Sequence, residues 1–302
     1  MASISPLRYP GGKGKIANFI KHIILQNDLR CVYVEPYAGG AGVACDLLLS
    51  EIVNKIIIND ASLAIYAFWY SVINFPEDLC RLIKDTPVNV RVWHKQQEIQ
   101  QENSPDMLEL GFSTFFLNRT NVSGILKGGV IGGLEQKGNY LIDARYHKKN
   151  LIKRIMAIAK YAGKIELYNE DAMSLLDIIE INLPEKSLIY FDPPYFIKGK
   201  GLYRNFYNKN DHENIANKII NLKLSWIISY DNVPQIREMY PNIKNIIYDI
   251  TYSARRHYNG NEIIYFSDDL EIPECNSPID IKNKDIVNFL SNAKSQKIIH
   301  VK

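Results

Sequence analysis

The sequence predicts an α/β protein whose mostly parallel sheet ends in an antiparallel hairpin. Short apolar runs have the length of buried strands, and they cover residues 31–34, 55–58, 165–167, 188–191 and 226–229. Helical segments separate these runs, and strands that alternate with helices build parallel sheets. Two later runs, residues 243–252 and 262–266, flank Tyr258-Asn259-Gly260-Asn261, and Asn-Gly is a strong signal for a hairpin turn.

Periodicity places the first helix and the first β-loop-α-β unit. After Gly11-Gly12, five apolar side chains fall on one helical face: Ile16, Phe19, Ile20, Ile23 and Ile24. The first strand then leads through a glycine-rich turn to a helix that runs through Leu49. The second strand ends at Asn59-Asp60, and the helix after the strand at 188–191 is expected to be capped by Asp211.

Length and composition indicate a packed globular protein. The 302 residues suit one large α/β domain or a core with a smaller insertion. Charged residues make up 23% of the chain and hydrophobic residues 46%, which excludes a disordered chain. The net charge of +3 permits a nucleic-acid partner without requiring one, so any charge that binds nucleic acid must be local.

The regular alternation is interrupted between residues 74 and 146, where helical stretches give way to a glycine-rich segment at 124–138. We therefore expect an inserted, mainly helical subdomain over 74–146. Residues 1–73 and 147–270 would form the core domain. Residues 271–302 would form a tail, either a mobile end or a small helix.

No sequence feature indicates a membrane, a metal or an oxidising compartment. The chain has four cysteines: Cys31, Cys45, Cys80 and Cys275. They form no C-x-x-C pair, so we expect reduced thiols and a cytoplasmic location. No cluster of metal ligands is visible. The longest apolar stretch, residues 64–75, is too short to span a bilayer, and residues 1–15 lack the apolar core of a signal peptide.

A glycine-rich loop follows the first strand and reads Glu35-Pro36-Tyr37-Ala38-Gly39-Gly40. Glycine lets a ligand approach the backbone, and an acidic residue after the second strand can accept hydrogen bonds from ribose hydroxyls. Asp60 lies 21 positions after Gly39, close to the spacing of about 20 that nucleoside-binding α/β units show. The alternative is a plain tight turn in which Asp60 caps a helix.

The sequence does not match two other nucleotide-binding patterns. A dinucleotide fingerprint needs a third small residue at a set spacing, and the residues after Gly40-Ala41-Gly42 do not supply it. A phosphate loop needs Ser or Thr after Gly-Lys, but Gly12-Lys13 is followed by Gly14. An adenosine ligand without a pyrophosphate remains, and S-adenosylmethionine fits that description.

Asp192-Pro193-Pro194-Tyr195 follows a predicted strand, at the edge where open α/β sheets bind ligands. Two prolines form a stiff turn without a backbone N–H, so the turn presents only acceptors, the Asp192 carboxylate and the Pro193 carbonyl. Two acceptors on an exocyclic amino group would favour a pyramidal nitrogen with a more available lone pair. The Tyr195 ring can stack on a base turned out of a duplex, and its hydroxyl is not needed for that stacking. The alternative is an ordinary proline turn.

These motifs resemble the DNA adenine methyltransferase family whose best-known members methylate GATC, over about residues 6–267. An aromatic-x-Gly-Gly-Lys motif that contacts the cofactor in that family is here Tyr9-Pro10-Gly11-Gly12-Lys13. Glu170-Asp171-Ala172 resembles the segment that reaches the adenine of the cofactor. The resemblance implies these cofactor-binding residues: Tyr9, Lys13, Glu35, Pro36, Tyr37, Ala38, Gly39, Gly40, Asp60, Asp171 and Asp192. It implies these catalytic residues: Asp192, Pro193, Pro194 and Tyr195.

The resemblance also implies a Rossmann-like methyltransferase fold, with an insertion at 74–146 that recognises double-stranded DNA. The implied reaction moves a methyl group from S-adenosylmethionine to adenine N6 by base flipping and direct transfer. A bacterial or phage origin and a cognate restriction endonuclease as candidate partner are further expectations from the family.

The insertion is also where this chain departs from the family. Asn118-Arg119, followed by Gly124, resembles the opening of the DNA-reading region. Relatives that read GATC carry aromatic and arginine residues directly after this pair, whereas this chain has Thr120-Asn121-Val122-Ser123, so the recognition sequence stays open. Six residues are candidate DNA contacts: Asn118, Arg119, Lys127, Lys198, Lys200 and Arg204. The alternatives are an internal brace for Arg119 and a solvated loop for the last three.

Two other classes of function stay open at this point. One is a methyltransferase that acts on RNA bases or protein amides, although such enzymes more often carry Asn-Pro-Pro-Tyr. The other is a cofactor-binding DNA recognition protein without catalysis. A damaged tetrapeptide or cofactor loop would favour it, and both are intact here.

Overall fold

The described residues form a seven-stranded sheet. The computed structural model describes residues 4–8, 13–196, 207–252 and 258–299. The strands are β1 (Val32–Glu35), β2 (Lys55–Asn59), β3 (Ile165–Tyr168), β4 (Leu188–Phe191), β5 (Ser225–Asp231), β6 (Asn245–Tyr252) and β7 (Tyr258–Phe266). Their order is β3-β2-β1-β4-β5-β7-β6, with β7 antiparallel to both neighbours and the other pairs parallel. The predicted α/β class with an antiparallel end is confirmed.

Helices connect most of these strands. They are α1 (Ala17–Gln26), α2 (Gly42–Leu49), α3 (Leu63–Asn74), α4 (Pro76–Asp85), α5 (Val90–Ile99), α6 (Met107–Thr120), α7 (Lys148–Ala159), α8 (Ala172–Ile179), α9 (Lys209–Ile220), α10 (Pro234–Met239) and α11 (Asn283–Ile299). The cap predicted at Asp211 is one turn too late. Asn208 caps α9, and Asp211 is the reciprocal acid of that capping box.

Two hydrophobic clusters lie on opposite faces of the sheet. In β2, Ile56 and Ile58 belong to the cluster that contains α1, α2 and α3, whereas Ile57 belongs to the cluster that contains α8, α9 and α10. Successive side chains of a strand point to opposite faces. A strand covered on both faces must therefore be apolar at nearly every position, which is why these strands appear as unbroken apolar runs in the sequence.

The chain reverses its direction across the sheet at β1. β1 pairs with β2 on one side and with β4 on the other. In open α/β sheets such a reversal leaves a crevice at the carboxyl ends of the two diverging strands, where ligands bind. The glycine-rich loop follows β1, Asp60 follows β2 and Asp192 follows β4, so the predicted motifs meet at this edge.

The C-terminal hairpin forms with a different register from the one predicted. Asn259 and Gly260 lie inside β7, where they pair with Thr251 and Ile250 of β6. The predicted Asn-Gly turn is therefore wrong. The residues between β6 and β7 are 253–257, which lie outside the described residues. The pairing of β7 with β5 and the burial of its apolar end set the register, and a local turn preference does not override them.

Helices α4, α5 and α6 occupy much of the predicted insertion. Leu79 of α4 and Phe115 of α6 share a hydrophobic cluster with Phe68 of α3 and Leu151 of α7. The rings of Phe68 and Phe115 stack with centroids 6.0 Å apart. The insertion thus shares its apolar core with the helices of the sheet, and the boundaries at 74–146 stay a prediction. After α6 the chain runs in turns up to α7.

The predicted tail contains a helix, α11, that packs on α1. Ile286 is buried, and the ring of Phe289 lies 4.8 Å from the ring of His22. Within the described part of the chain, no helix combines the length and the apolar character that crossing a membrane would need.

Candidate active site

A short segment ahead of Lys13 is clamped by the end of α6. Asn118 accepts a hydrogen bond from the Arg8 N–H at 2.7 Å and donates one to the Arg8 carbonyl at 2.7 Å. Arg119 donates from Nε to the Pro6 carbonyl at 2.6 Å. Gly124 is required beside this clamp, since it has a φ of +77° and a Cβ there would lie 2.7 Å from the Arg8 carbonyl. Both predicted DNA contacts, Asn118 and Arg119, are thus buried and bonded within the protein.

The glycine-rich loop after β1 is shaped by left-handed backbone and by Asp60. Gly39 and Ala41 have φ of 47° and 44°. The Gly39 N–H donates to Asp60 Oδ2 at 2.9 Å, and the Ser62 N–H donates to Asp60 Oδ1 at 2.9 Å. Burial raises the pKa of Asp60 to about 6 despite these two donors. The spacing between Gly39 and Asp60 therefore reflects a direct contact.

Three residues that sequence reasoning missed hold this loop. Asn59 donates to the Pro36 carbonyl and to the Glu170 carbonyl, both at 2.9 Å, and so joins the loops after β1 and β3. Trp69 of α3 donates from Nε1 to the Gly39 carbonyl at 2.9 Å. Ser5 donates to the Gly40 carbonyl at 2.5 Å. Only the position of Asn59 directly before Asp60 offered a signal in the sequence.

Glu35 is a buried acid at the end of β1. Its Oε1 accepts from the Ala44 N–H at 3.0 Å and from the Tyr33 hydroxyl at 3.1 Å. Burial raises the pKa of Glu35 to about 8, and the negative charge of Asp192 adds to that shift. Glu35 and Asp192 therefore feel each other's charge across the β1–β4 pair.

Two other predicted cofactor residues have internal partners. Asp171 caps α8 by accepting from the Met173 N–H at 2.9 Å. The Tyr37 hydroxyl forms a 2.8 Å hydrogen bond with the Tyr207 hydroxyl. Tyr9 lies outside the described residues.

The Asp192 carboxylate is oriented by Lys13 and Ser229. Oδ1 lies 3.1 Å from Lys13 Nζ and accepts from Ser229 Oγ at 3.2 Å. Burial raises the pKa of Asp192 above its ordinary value, and the Lys13 ammonium opposes that shift. Burial alone lowers the pKa of Lys13, but Asp192 and the other anionic groups around it outweigh burial and hold this pKa well above the ordinary value. Lys13 is therefore a fixed cation beside Asp192.

Tyr195 is buried rather than open, with 4% of its surface exposed. Its hydroxyl donates to Glu262 Oε1 at 2.9 Å, and Lys13 Nζ lies 5.5 Å from the centre of its ring. Pro193 and Pro194 are buried as well. The tetrapeptide is therefore tied to β7, and nothing in the sequence indicated this contact.

A groove of about 330 Å³ opens between the clamped segment and the turns after α6. It is lined by Arg8, Ser123, Tyr140 and Arg145, among others. The Arg145 guanidinium lies 5.7 Å from the ring centre of Tyr140, and that ring is 65% exposed. Burial, followed by the charge of Arg145, lowers the pKa of Arg8. Among the described residues, neither arginine has a carboxylate within 4.0 Å.

The remaining predicted DNA contacts divide into two groups. Lys127 is exposed on the turns after α6. Lys198, Lys200 and Arg204 lie outside the described residues. In the described ranges, no group of three or more His, Cys, Asp or Glu side chains is placed to hold a metal ion.

Two solved structures are similar to this chain at low identity. An rRNA methyltransferase from Streptomyces viridochromogenes is 11% identical, with a TM-score of 0.35 over 83% of this chain and 84% of the other. A SAM dependent methyltransferase from Agrobacterium tumefaciens is 12% identical, with a TM-score of 0.37 over 82% of this chain and 60% of the other. Similarity this weak carries no argument about function.

No curated protein matches the chain. The model of one family, described as D12 class N6 adenine-specific DNA methyltransferase, matches residues 9–255. That span contains the glycine-rich loop, Asp60, the turns after α6 and the Asp-Pro-Pro-Tyr turn. The chain therefore belongs to the D12 class of N6 adenine-specific DNA methyltransferases.

Proposed function

We propose that this enzyme transfers the methyl group of S-adenosylmethionine directly to adenine N6 at a specific sequence in double-stranded DNA, after the base has left the helix. The observation that carries the proposal is the position of Asp192. It is an oriented carboxylate at the carboxyl end of β4, and β4 pairs with β1, which carries the glycine-rich loop.

The residues after β1 and β2 fit an adenosine cofactor. Asp60 offers a carboxylate for ribose hydroxyls, and its hydrogen bond from the Gly39 N–H holds it beside the left-handed turn at Gly39 and Ala41. We assign the cofactor to the loop at residues 35–40, to Asp60 and to the segment around Asp171. S-adenosylmethionine supplies an electrophilic methyl group when it is bound.

The chemistry assigned to Asp192 is that of an acceptor for the target amine. Oδ1 is held by Lys13 and Ser229. Of the residues that the structure describes, none places a hydrogen-bond donor on Oδ2. That oxygen and the Pro193 carbonyl are available to accept the two amine hydrogens, which raises the availability of the nitrogen lone pair. The carboxyl group must be ionised to do this, and the Lys13 charge favours ionisation.

The groove is our assigned DNA contact. Arg8 and Arg145 bring two positive charges to its wall, and no carboxylate among the described residues pairs with them. The exposed ring of Tyr140 adds a stacking face beside them. The Arg8 guanidinium donates to the Asn121 carbonyl at 3.1 Å, which leaves its charge without an anionic partner among the described residues. Phosphate groups suit guanidinium groups of this kind, and bases stack on aromatic rings. Lys127 stays a candidate contact on the same turns.

The test is a methylation assay with purified protein, labelled S-adenosylmethionine and three substrates. These are unmethylated double-stranded DNA, RNA of the same sequence and a mixture of unmodified proteins. We expect label in DNA only, and sequencing of the product should place N6-methyladenine within one short motif. Label in RNA or in protein, with none in DNA, would reject the DNA assignment. Random methylation of adenines would reject the site-specific part.

A further inference from the structure

Glu262 of β7 is fully buried, with 0% of its side chain exposed, and it accepts hydrogen bonds from groups on three other segments. Tyr195 of the tetrapeptide donates to Oε1 at 2.9 Å, and Tyr248 of β6 donates to Oε2 at 2.5 Å. Lys13 Nζ lies 3.0 Å from Oε2. A buried carboxylate is costly unless it is paired and hydrogen-bonded, and here each oxygen has a partner.

Glu262 and Asp192 share the same cation. Lys13 Nζ lies 3.1 Å from Asp192 Oδ1, 3.0 Å from Glu262 Oε2 and 3.1 Å from Ser229 Oγ. The ammonium is thus held at three points, and two of them belong to neither the tetrapeptide nor the cofactor loop. Without Glu262, one of its two carboxylate partners is lost.

We propose that Glu262 is a positioning residue for methyl transfer, which fixes both Lys13 and Tyr195 relative to Asp192. This inference rests on the proposed chemistry at Asp192. Glu262 lies on an internal strand of the sheet, paired on both sides. Strand register therefore determines where its oxygens lie, and through them the Tyr195 hydroxyl and the Lys13 ammonium.

The far end of the Tyr195 ring gains a fixed position from this contact. A ring that stacks on a flipped base needs only its face, but a phenol oxygen bonded to an immobile acceptor keeps the whole ring from swinging about its Cα–Cβ bond. Small misplacements of groups around a reacting centre cost large factors in rate. Glu262 accordingly acts at a distance from the amine, through Tyr195 and Lys13.

The first experiment compares Glu262→Gln with the wild type in steady-state methylation. We expect kcat to fall by about tenfold to 100-fold, while the cofactor affinity from calorimetry stays close to wild type and shows that the variant is folded. Glu166→Gln is the control, because it also removes a carboxylate from a lysine pair. Glu166 lies on the edge strand β3, far from Asp192 in the strand order, and pairs with Lys55 of β2. We expect the kcat of this control to be unchanged.

The second readout is the pH profile, which a merely structural role would not move. The pKa of Asp192 is raised by burial, and the charge of Glu262 adds to that shift. Glu262→Gln removes a negative charge, so the acid limb of kcat should move to lower pH. The groups that face Asp192 and enter this balance are Lys13, Ser229, Glu262, Glu35, Tyr33 and Tyr190.

A double-mutant cycle with Lys13→Met tests whether Glu262 acts through the shared cation. If it does, Glu262→Gln should cost less in the Lys13→Met protein than in the wild type. Losses that multiply independently would overturn the part of the proposal that concerns Lys13. A Glu262→Gln protein with wild-type kcat and an unchanged acid limb of the pH profile would overturn the whole proposal.

The failure of the proposed function would look different. It would appear as absent adenine methylation by the wild type itself. The ionisation of Asp192, followed by NMR of protein with carbon-13-labelled aspartate, does not require activity. A lower pKa of Asp192 in Glu262→Gln would support the link between Glu262 and Asp192 in that case, and an unchanged pKa would overturn it.

Discussion

The carboxyl edge of the sheet and the groove after α6 handle charge in opposite ways. At the sheet edge each charged group already has partners inside the protein. Asp60 accepts hydrogen bonds from two backbone N–H groups, and Lys13 forms ion pairs with Asp192 and Glu262. In the groove, the described residues offer Arg8 and Arg145 no carboxylate. The charges of the first region are paired within the protein, and those of the second are the ones that we assign to DNA phosphates.

The largest effect that we expect from a change at the sheet edge is the loss of turnover in a variant of Asp192. Asp192→Ala should lower kcat by on the order of 10²–10³-fold, because an oriented acceptor for the target amine is removed. Cofactor affinity should stay within a few-fold, since Asp60 and the loop at 35–40 are intact. Steady-state methylation and calorimetry measure the two effects. The control is Asp177→Asn, which changes an exposed acid on α8 and should leave kcat and cofactor affinity unchanged. Near wild-type turnover in Asp192→Ala would contradict the mechanism.

Asp60→Ala should have the next largest effect. It removes the carboxylate that we assign to the ribose hydroxyls of the cofactor, and it also frees the Gly39 N–H that shapes the loop. Cofactor binding should weaken by about 1–3 kcal/mol, as expected for hydrogen bonds to a charged group. Asp60→Asn keeps the size of the side chain and should lose less. Calorimetry that finds wild-type affinity in both variants would remove Asp60 from the cofactor site.

Arg145→Ala tests the opposite region. DNA binding should weaken by about 1 kcal/mol with cofactor affinity unchanged. The slope of the logarithm of DNA affinity against the logarithm of salt concentration should fall by about 1, because one phosphate contact is lost. Lys153→Ala on α7 removes the same charge from an exposed position and serves as control. Equal effects of both changes would show that only net charge matters and that the groove is not a contact.

The smallest expected effect is a pH dependence of cofactor binding. The pKa of Asp60 is raised to about 6 by burial, so the carboxyl becomes neutral below that pH. A neutral carboxyl is a weaker acceptor for ribose hydroxyls. Affinity should therefore fall by about threefold to fourfold between pH 7.5 and 5.5, which is the loss in ionised fraction for a group of this pKa. In Asp60→Asn, the cofactor affinity from calorimetry should depend less on pH than in the wild type. An identical pH dependence in the two proteins would assign it to another group.

The strands, the glycine-rich loop and the Asp-Pro-Pro-Tyr turn were predictable from the sequence because each is a local pattern. Buried strands leave apolar runs, and the separation of Gly39 from Asp60 is fixed by one β-loop-α-β unit. The Asn259-Gly260 signal failed for the same reason. It reports a local turn preference, whereas the register of β7 is set by its pairing with β5.

The contacts that position the site were not predictable. Glu262 meets Tyr195 across 67 residues, and Asn118 meets Arg8 across 110 residues. No local pattern marks an acid on an internal strand as the partner of a distant tyrosine. Asn118 and Arg119 were candidate DNA contacts because the pair resembles the opening of the family's DNA-reading region, and an internal brace was the alternative only for Arg119. Their burial follows from the backbone segment that they hold.

The clamp on residues 5–8 has a consequence for the order in which the enzyme is made. Residues 5–8 and Lys13 are synthesised early, but their partners follow much later. Arg8 is held by Asn118, and Lys13 is held by Glu262, which lies 249 residues further along the chain. Closing such long loops delays folding relative to local contacts. The first part of the active site to be synthesised is therefore among the last to be completed. On our assignment of the site, a nascent chain with β1, β2 and a formed glycine-rich loop is inactive until the final hairpin joins the sheet.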